Sequence, residues 1–178
     1  VLSSRGLGDV YKRQEMNKQG VMIDISHVSD AAFMKVLELS KAPVVATHSS
    51  LRHFTPGWER NVSDEMLIAL AENGGVIQLC FGSDFVANRK DNPDIEVSVK
   101  NVVDHIDRVR DLVGIDHVGF GSDFDGEVPL PEDINDVSKF PNLIEELLIR
   151  GYTESEIDKI LNENILRVWK EVRALADV

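Results

Sequence analysis

The sequence predicts an α/β fold in which about four parallel strands alternate with helices. Short apolar runs such as PVVATH and VIQLCF have the length and composition of buried strands, and segments with helical spacing of apolar residues separate them. Two successive runs, VMIDISH and PVVATHSS, also carry a histidine at or near their end. Four βα units are half of a (β/α)8 barrel, so the chain is either a small open α/β sheet or part of such a barrel.

Length and composition limit the class of protein. With 178 residues and 43% hydrophobic content, the chain can form one sizeable domain. The formal net charge of −12 argues against nucleic acid or an anionic membrane as a partner, because both require a basic face. No apolar run approaches about 18 residues and the amino terminus has no signal-like apolar region, so we expect no membrane span and a cytoplasmic location.

The single cysteine, Cys80, excludes an internal disulfide. Its apolar neighbours favour a buried core thiol over a reactive nucleophile, since no basic group stands beside it. Residues 1–14, VLSSRGLGDVYKRQ, are turn-prone, basic and without periodicity, so we interpret them as non-native or disordered. The single domain is therefore placed at residues 15–178.

The first βαβ unit is predicted over residues 20–51. In VMIDISH, His27 shares the period-2 phase of the apolar residues, and in PVVATHSS, His48 does the same. Ser29 can cap the helix between the two strands, and Pro43 follows the end of that helix. A right-handed crossover makes the strands parallel, so both imidazoles are expected at the same carboxyl edge.

The remaining helices carry recognisable start and stop signals. Ser63 is expected to cap a helix that NGG at 73–75 ends. Residues 98–113 form the clearest amphipathic helix, and another helix is expected around residues 142–150. A capping box of Thr153 and Glu156 opens the final helical region, whose apolar stripe is predicted as Ile157, Ile160, Leu161, Ile165, Val168, Trp169 and Val172.

The third and fourth strands are predicted at 76–81 and 117–123. In the fourth, HVGFGSD, two glycines share the phase of Asp123 and leave room beside this carboxylate. The glycine-rich segment that follows lacks the spacing of a nucleotide-binding loop, and its carboxylates would repel phosphate.

Polar groups are expected to converge at the carboxyl edge. His27 and His48 are candidate metal ligands, with packed strand histidines as the alternative. Asp123 is a candidate proton acceptor for a metal-bound water, with a loop or helix cap as the alternative. Arg60 is the expected anion receptor, because a guanidinium binds a carboxylate through two parallel hydrogen bonds. Asp24 is out of phase with His27, so we expect it to face the helix layer in a capping or hydrogen-bonding role.

Two other histidines are expected to be structural. His105 lies on the long amphipathic helix, and His117 precedes the fourth strand, at the opposite end of the sheet from the candidate site.

Five segments together resemble the membrane (renal) dipeptidase family of zinc metallopeptidases, in its bacterial branch. They are EMNKQGVMIDISHVS, APVVATHSSLR, ERNVSDEMLIALAENGGVI, HVGFGSDFDG and NILRVW. The resemblance implies the carboxyl-terminal half of a (β/α)8 TIM barrel with two zinc ions at its carboxyl edge. It also implies that His27 and His48 bind one zinc, that Arg60 receives the carboxylate of a dipeptide substrate, and that Asp123 serves as base and then proton donor in amide hydrolysis.

One part of the family pattern has no counterpart in this sequence. The His-x-Asp pair, the bridging glutamate and a substrate-contacting histidine belong to the half that would precede Glu15. Two imidazoles are fewer than the three protein ligands of a usual catalytic zinc, so we expect the chain alone to bind zinc weakly and to lack dipeptidase activity. Open sheet edges are expected to favour association, a homodimer included.

Two alternative functions remain at this point. One is a related metal-dependent amidohydrolase acting on lactones or acylated amino acids. The other is a non-catalytic binding or assembly protein built on the half-barrel.

Overall fold

The computed structural model describes residues 12, 14–126 and 128–176. The interpretation of residues 1–14 as non-native falls outside these ranges except for Lys12 and Gln14. Within the described ranges, no helix has both the length and the apolar character needed to cross a membrane.

Within the described part of the chain, three parallel strands form a sheet, in the order β1 (Val45–Ser49), β2 (Val76–Cys80) and β3 (Val118–Ser122). They are the last three of the predicted four. Their registers shift near the carboxyl ends, between Ala46 and Ser49 and between Leu79 and Cys80. A Cβ on Gly121 would collide with the carbonyl oxygens of β1 and β2, so the glycine lets β3 lie close to both strands. The room that was predicted beside the Asp123 carboxylate is therefore taken by neighbouring backbone.

The predicted first strand is not present as a strand. Asp24 forms one isolated parallel bridge with Val45, whose backbone exchanges hydrogen bonds of 2.8 and 3.0 Å with Ile25 and Ile23. His27 then has φ of 61°, in the left-handed region, so the extended alternation ends before the histidine. The segment lies beside β1 as predicted, but its period-2 phase does not continue to His27.

Seven α-helices between residues 30 and 174 connect and cover the strands, and the described residues 14–18 are helical as well. In chain order they are α1 (Asp30–Leu39), α2 (Asp64–Glu72), α3 (Ser83–Val86), α4 (Val99–Val113), α5 (Phe140–Ile149), α6 (Glu154–Asp158) and α7 (Asn164–Ala174). A π-helical segment, Lys159–Glu163, joins α6 to α7. Short 3₁₀ turns occupy Arg52–Phe54, Ile115–His117, Glu132–Ile134 and Val137–Lys139.

The predicted helix caps are confirmed. Ser29 accepts a hydrogen bond from the backbone N–H of Ala32, and Ser63 accepts one from Met66, both at 3.3 Å. Thr153 and Glu156 form the reciprocal capping box at the start of α6. Each cap satisfies an amide that the first helical turn leaves without an intrahelical partner.

The main core lies between the sheet and helices α1, α2, α4, α5 and α6. Ile77 and Leu79 of β2 are fully buried in it, together with Val102, Ile106 and Val109 from one stripe of α4. A second, smaller cluster packs α7 against the beginning of the strands; its buried members are Ala42, Val45, Val76, Val168 and Val172. The smaller cluster therefore holds the strands at their amino ends, whereas the main core extends along the sheet to Phe81.

Candidate active site

The structure brings His27 and His48 together. Their ring centroids are 4.9 Å apart and the rings are inclined at 50°. His48 stands on β1, whereas His27 stands in the turn that follows the bridge at Asp24. The predicted juxtaposition is therefore present, although a left-handed turn and not a strand delivers one of the two imidazoles.

Hydroxyl groups surround His48. The backbone N–H of His48 donates to Ser26 Oγ at 3.1 Å, and its Nδ1 lies 2.7 Å from Thr47 Oγ1. Ser49, one residue further, is buried and donates to Ser26 Oγ at 3.3 Å. No sequence pattern singles out these small residues, because serine and threonine are common at the ends of strands.

Arg60 reaches between the two histidines. Its guanidinium donates to Ser49 Oγ at 2.9 Å, to the carbonyl oxygen of His48 at 2.5 Å and to His27 Nε2 at 3.2 Å. Because arginine has only donors, His27 Nε2 must be the acceptor and carries no proton. Burial, followed by the positive charge of Arg60, lowers the pKa of His27, which agrees with a neutral ring.

Asn61 fixes the loop that carries Arg60. Its side chain is buried and donates to Thr55 Oγ1 at 2.7 Å and to the carbonyl oxygen of Phe85 at 2.8 Å. The Phe85 ring also lies 5.5 Å from the guanidinium carbon. Asn61 was missed as a positioning residue, although its place directly after Arg60 was an available signal.

Asp123 follows β3 in a strained conformation. Ser122 and Asp123 have φ of 43° and 67°, a region that residues with a Cβ seldom adopt. Phe124 anchors the turn, with its ring centroid 5.8 Å from that of Phe81. The carboxylate rests against Gly126, where a Cβ would lie only 2.6 Å from Oδ1. Its negative charge raises the pKa of His27 and so opposes the larger effects of burial and Arg60.

Cys80 lies beneath this carboxylate at the end of β2. Its Sγ is 3.8 Å from Asp123 Oδ2, and the residue is buried. Burial raises the pKa of the thiol to about 11, so Cys80 is protonated at neutral pH. The prediction of a buried core thiol is confirmed.

Asp24 requires a correction, because it does not face the helix layer. Its carboxylate accepts hydrogen bonds from the backbone of Ser26 at 2.9 Å, the backbone of Thr47 at 3.1 Å and Thr47 Oγ1 at 2.6 Å. The residue belongs to a single bridge and not to a regular strand, so the alternation of faces does not apply to it. The hydrogen-bonding role that was predicted is present, but toward the candidate site.

The other histidines behave as structural residues. His105 is fully buried, accepts the backbone N–H of Leu51 at Nδ1 (3.0 Å) and donates from Nε2 to the carbonyl oxygen of Val86 (3.2 Å). His117 donates from Nδ1 to the carbonyl oxygen of Gly75 at 2.8 Å, at the amino end of β2. Both observations agree with the sequence predictions.

The imidazoles of His27 and His48 are suitable zinc ligands, but two ligands are too few for a complete zinc site. Imidazole nitrogen is a preferred zinc ligand, and a catalytic zinc usually has three protein ligands. Among residues 12, 14–126 and 128–176 there is no group of three or more His, Cys, Asp or Glu side chains arranged to hold a metal ion. His27 and His48 can therefore form part of a zinc site.

Comparisons with known proteins give this geometry a context. The profile described as "Membrane dipeptidase (Peptidase family M19)" matches residues 5–178. The dipeptidase ataJ of Aspergillus terreus is 45% identical over 157 residues, which are 88% of this chain and 37% of that protein. The chain thus spans less than half the length of this curated relative.

Solved structures show the same fold. A metallo peptidase from Rhodobacter sphaeroides, liganded with a phosphinate mimic of the dipeptide L-Ala-D-Ala, superimposes with a TM-score of 0.85 at 34% identity, covering 96% of this chain and 47% of that one. The probable dipeptidase PvdM from Pseudomonas aeruginosa gives 0.86 at 28% identity, covering 98% and 55% of the two chains.

These similarities confirm the predicted TIM-barrel type, of which this chain forms a part. The family profile matches nearly the whole chain, and a dipeptidase is 45% identical to it. The chain therefore belongs to the membrane dipeptidase family, peptidase family M19.

Proposed function

We propose that this chain takes part in the zinc-dependent hydrolysis of the amide bond of dipeptides. The observation that carries the proposal is the convergence of two imidazoles, a guanidinium and a carboxylate at one edge of the sheet. His27 and His48 have ring centroids 4.9 Å apart, and Arg60 donates to groups of both. The dipeptide-mimic complex of the Rhodobacter sphaeroides relative favours this class of substrate.

In this proposal His27 and His48 hold one zinc of a binuclear pair, and the remaining ligands come from the part of the barrel that this chain does not span. When bound, zinc would polarise the scissile carbonyl and lower the pKa of a water molecule. The His27–Arg60 contact bears on this role, because one lone pair cannot serve both a guanidinium and a metal. Because the neutral ring of His27 carries its proton on Nδ1, Arg60 must turn away from Nε2 before His27 binds a metal.

Arg60 and Asp123 act on the substrate. The Arg60 guanidinium receives the carboxylate at the end of the dipeptide, and its Nε has no hydrogen-bond partner among the described residues. Asp123 accepts a proton from the attacking water as the new C–O bond forms. It then gives this proton to the nitrogen of the leaving amine as the C–N bond breaks.

The first test uses the purified chain with added zinc and a dipeptide. We expect no turnover and only weak zinc binding, because the described residues supply two metal-binding imidazoles and no third ligand. Turnover by the chain alone that is lost in His48→Ala would contradict this expectation.

The activity itself is tested in a chimera in which this chain replaces the matching segment of the Rhodobacter sphaeroides enzyme. A single thermal transition establishes that the chimera is folded, and its zinc content is measured separately. We expect dipeptide hydrolysis that His48→Ala abolishes and that His117→Gln, at the amino end of the sheet, retains. A folded chimera without zinc would favour a non-catalytic binding protein.

A second hydrolase function has one observation in its favour. A structure described as an amidohydrolase from Pseudomonas aeruginosa superimposes with a TM-score of 0.83 at 29% identity, covering 97% of this chain and 57% of that one. A panel of dipeptides, acylated amino acids and lactones separates the two functions. If the enzyme is a dipeptidase, dipeptides are hydrolysed in preference to both acylated amino acids and lactones. Arg60→Gln should then lower the rate with dipeptides, because their carboxylate loses its guanidinium partner.

A further inference from the structure

A chain of hydrogen bonds connects Asp24 to one of the two neighbouring histidines. Thr47 Oγ1 lies 2.6 Å from Asp24 Oδ2 and 2.7 Å from His48 Nδ1. A hydroxyl group has one proton to donate and can accept from other donors. Only one of these two short contacts can therefore use the threonine proton.

The chemistry of Asp24 decides which contact that is. An ionised carboxylate is an acceptor only, so the threonine proton points to Oδ2. Burial, which alone raises the pKa of Asp24, is outweighed by its hydrogen bonds with Thr47 and Ser26, so the pKa lies below its ordinary value and the group is ionised at neutral pH. Thr47 Oγ1 must then accept from His48, which requires a proton on Nδ1.

We propose that Asp24 is a positioning residue that, through Thr47, holds His48 in the Nδ1–H tautomer and leaves the lone pair on Nε2. The same segment also orients the backbone of the histidine, since Ser26 donates to Asp24 Oδ1 from its amide and accepts the His48 amide at its hydroxyl. Ring and backbone of His48 are thus fixed together. The link to zinc rests on the proposed function, because Nε2 is then the nitrogen offered to the metal.

The test is nitrogen NMR of the ¹⁵N-labelled chain without zinc, at a pH where imidazoles are neutral. The His48 signals are assigned with His48→Gln. We expect a protonated Nδ1 and an unprotonated Nε2. His105 provides an internal reference of the opposite tautomer, because its Nδ1 accepts from Leu51 and its Nε2 donates to Val86. Unchanged His105 signals also establish that each variant is folded.

Three variants test the route through Thr47. Thr47→Ser keeps the hydroxyl and should keep the tautomer, whereas Thr47→Val should lose the preference for Nδ1–H. Asp24→Asn should reverse the tautomer of His48. The amide oxygen can keep the two backbone contacts, and the amide nitrogen donates to Thr47 Oγ1. The hydroxyl proton of Thr47 then points to His48 Nδ1, so the ring proton moves to Nε2. A wild-type Nε2–H tautomer, or a tautomer that is unchanged in Thr47→Val and Asp24→Asn, would overturn the proposal.

Zinc titration of the same chains by calorimetry tests the consequence for the metal. We expect Asp24→Asn to weaken zinc binding by about tenfold. Asp116→Asn, which breaks an ion pair with Lys159 away from the site, should have no effect. A reversed tautomer with unchanged zinc affinity would refute the link to zinc. A correct tautomer together with a folded, zinc-containing chimera that hydrolyses no dipeptide would instead count against the proposed function alone.

Discussion

His105 is a titratable group that the fold holds neutral. Both ring nitrogens are paired with backbone groups, and no part of the residue is exposed. Burial lowers its pKa from 6.5 to about 4. An unfolded chain takes up a proton near the ordinary value, so acid favours unfolding through this residue. The contribution of His105 to stability is complete above pH 6.5 and is lost as the pH falls toward 4.

This linkage gives a measurable pH dependence. We expect acidification from neutral pH toward pH 4 to remove up to about 3 kcal/mol of unfolding free energy through His105. Urea unfolding at several pH values measures the effect. His105→Gln should be less stable at neutral pH but less sensitive to acid. His53→Gln, at an exposed position, should keep most of the sensitivity, because burial is the main cause of the lowered His105 pKa. An equal sensitivity in His105→Gln would contradict the assignment.

For single residues, the sequence predicted which side chains lie close together in the candidate site but not the hydrogen bonds that position them. His48 follows from the alternation in its strand, and Arg60 from its loop. Asp24 could not be oriented correctly, because period-2 phase has meaning only within a regular strand and this residue forms one bridge. The roles of Ser26 and Thr47 depend on which groups the fold brings within hydrogen-bond distance, which local sequence does not encode.

Helices α4 and α5 are joined by a polar clamp centred on Arg150. Its guanidinium donates to Asp104 and Asp107, each at 2.7 Å, and to Glu146 at 2.8 Å. The hydroxyl group of Tyr152 donates to the same Asp107 at 2.6 Å. Glu146 is buried, so removal of the arginine would leave its charge poorly solvated.

We expect Arg150→Ala to lower the unfolding free energy by about 2 kcal/mol, less than for a fully buried pair because the two aspartates are partly solvated. Chemical denaturation gives the value. Lys35→Ala is the matched control, since its pair with Glu38 lies within one turn of helix and is exposed. This control should cost less than about 0.5 kcal/mol. Equal losses in the two variants would show that the clamp has no special role.

Helix beginnings were predicted well because a cap is a local interaction between residues three positions apart. The final helical region was predicted less well. A π-helical segment, Lys159–Glu163, interrupts it, and Trp169, placed in the apolar stripe, is 46% exposed. Asn164 is buried instead and donates to the carbonyl oxygens of Ile115 and Val118 at 2.7 and 2.9 Å. Such tertiary contacts determine the phase of α7, and apolar spacing does not reveal them.

For the whole molecule, the alternation of strands and helices was sufficient to predict the fold class. The number of strands was overestimated by one, because VMIDISH has the pattern of a strand but pairs with β1 through a single bridge. In a closed barrel each strand has neighbours on both sides. Here β3 pairs only with β2 among the described residues.

Unpaired edges have a consequence in solution. The segment at Asp24 and the outer side of β3 present backbone donors and acceptors that another chain can pair with. We expect the molar mass from light scattering to rise with protein concentration above that of one chain. The chimera with the Rhodobacter sphaeroides barrel pairs both edges and should not show this rise. A monodisperse monomer at all concentrations would contradict the prediction.

Cys80 offers a practical use of the architecture. It is the only sulfhydryl in the sequence, and it is covered by the turn that presents Asp123. Because Cys80 is buried, a thiol reagent can modify it only after the structure around the end of β2 opens. The rate of alkylation therefore reports how often this edge of the sheet opens, and the measurement needs no engineered label.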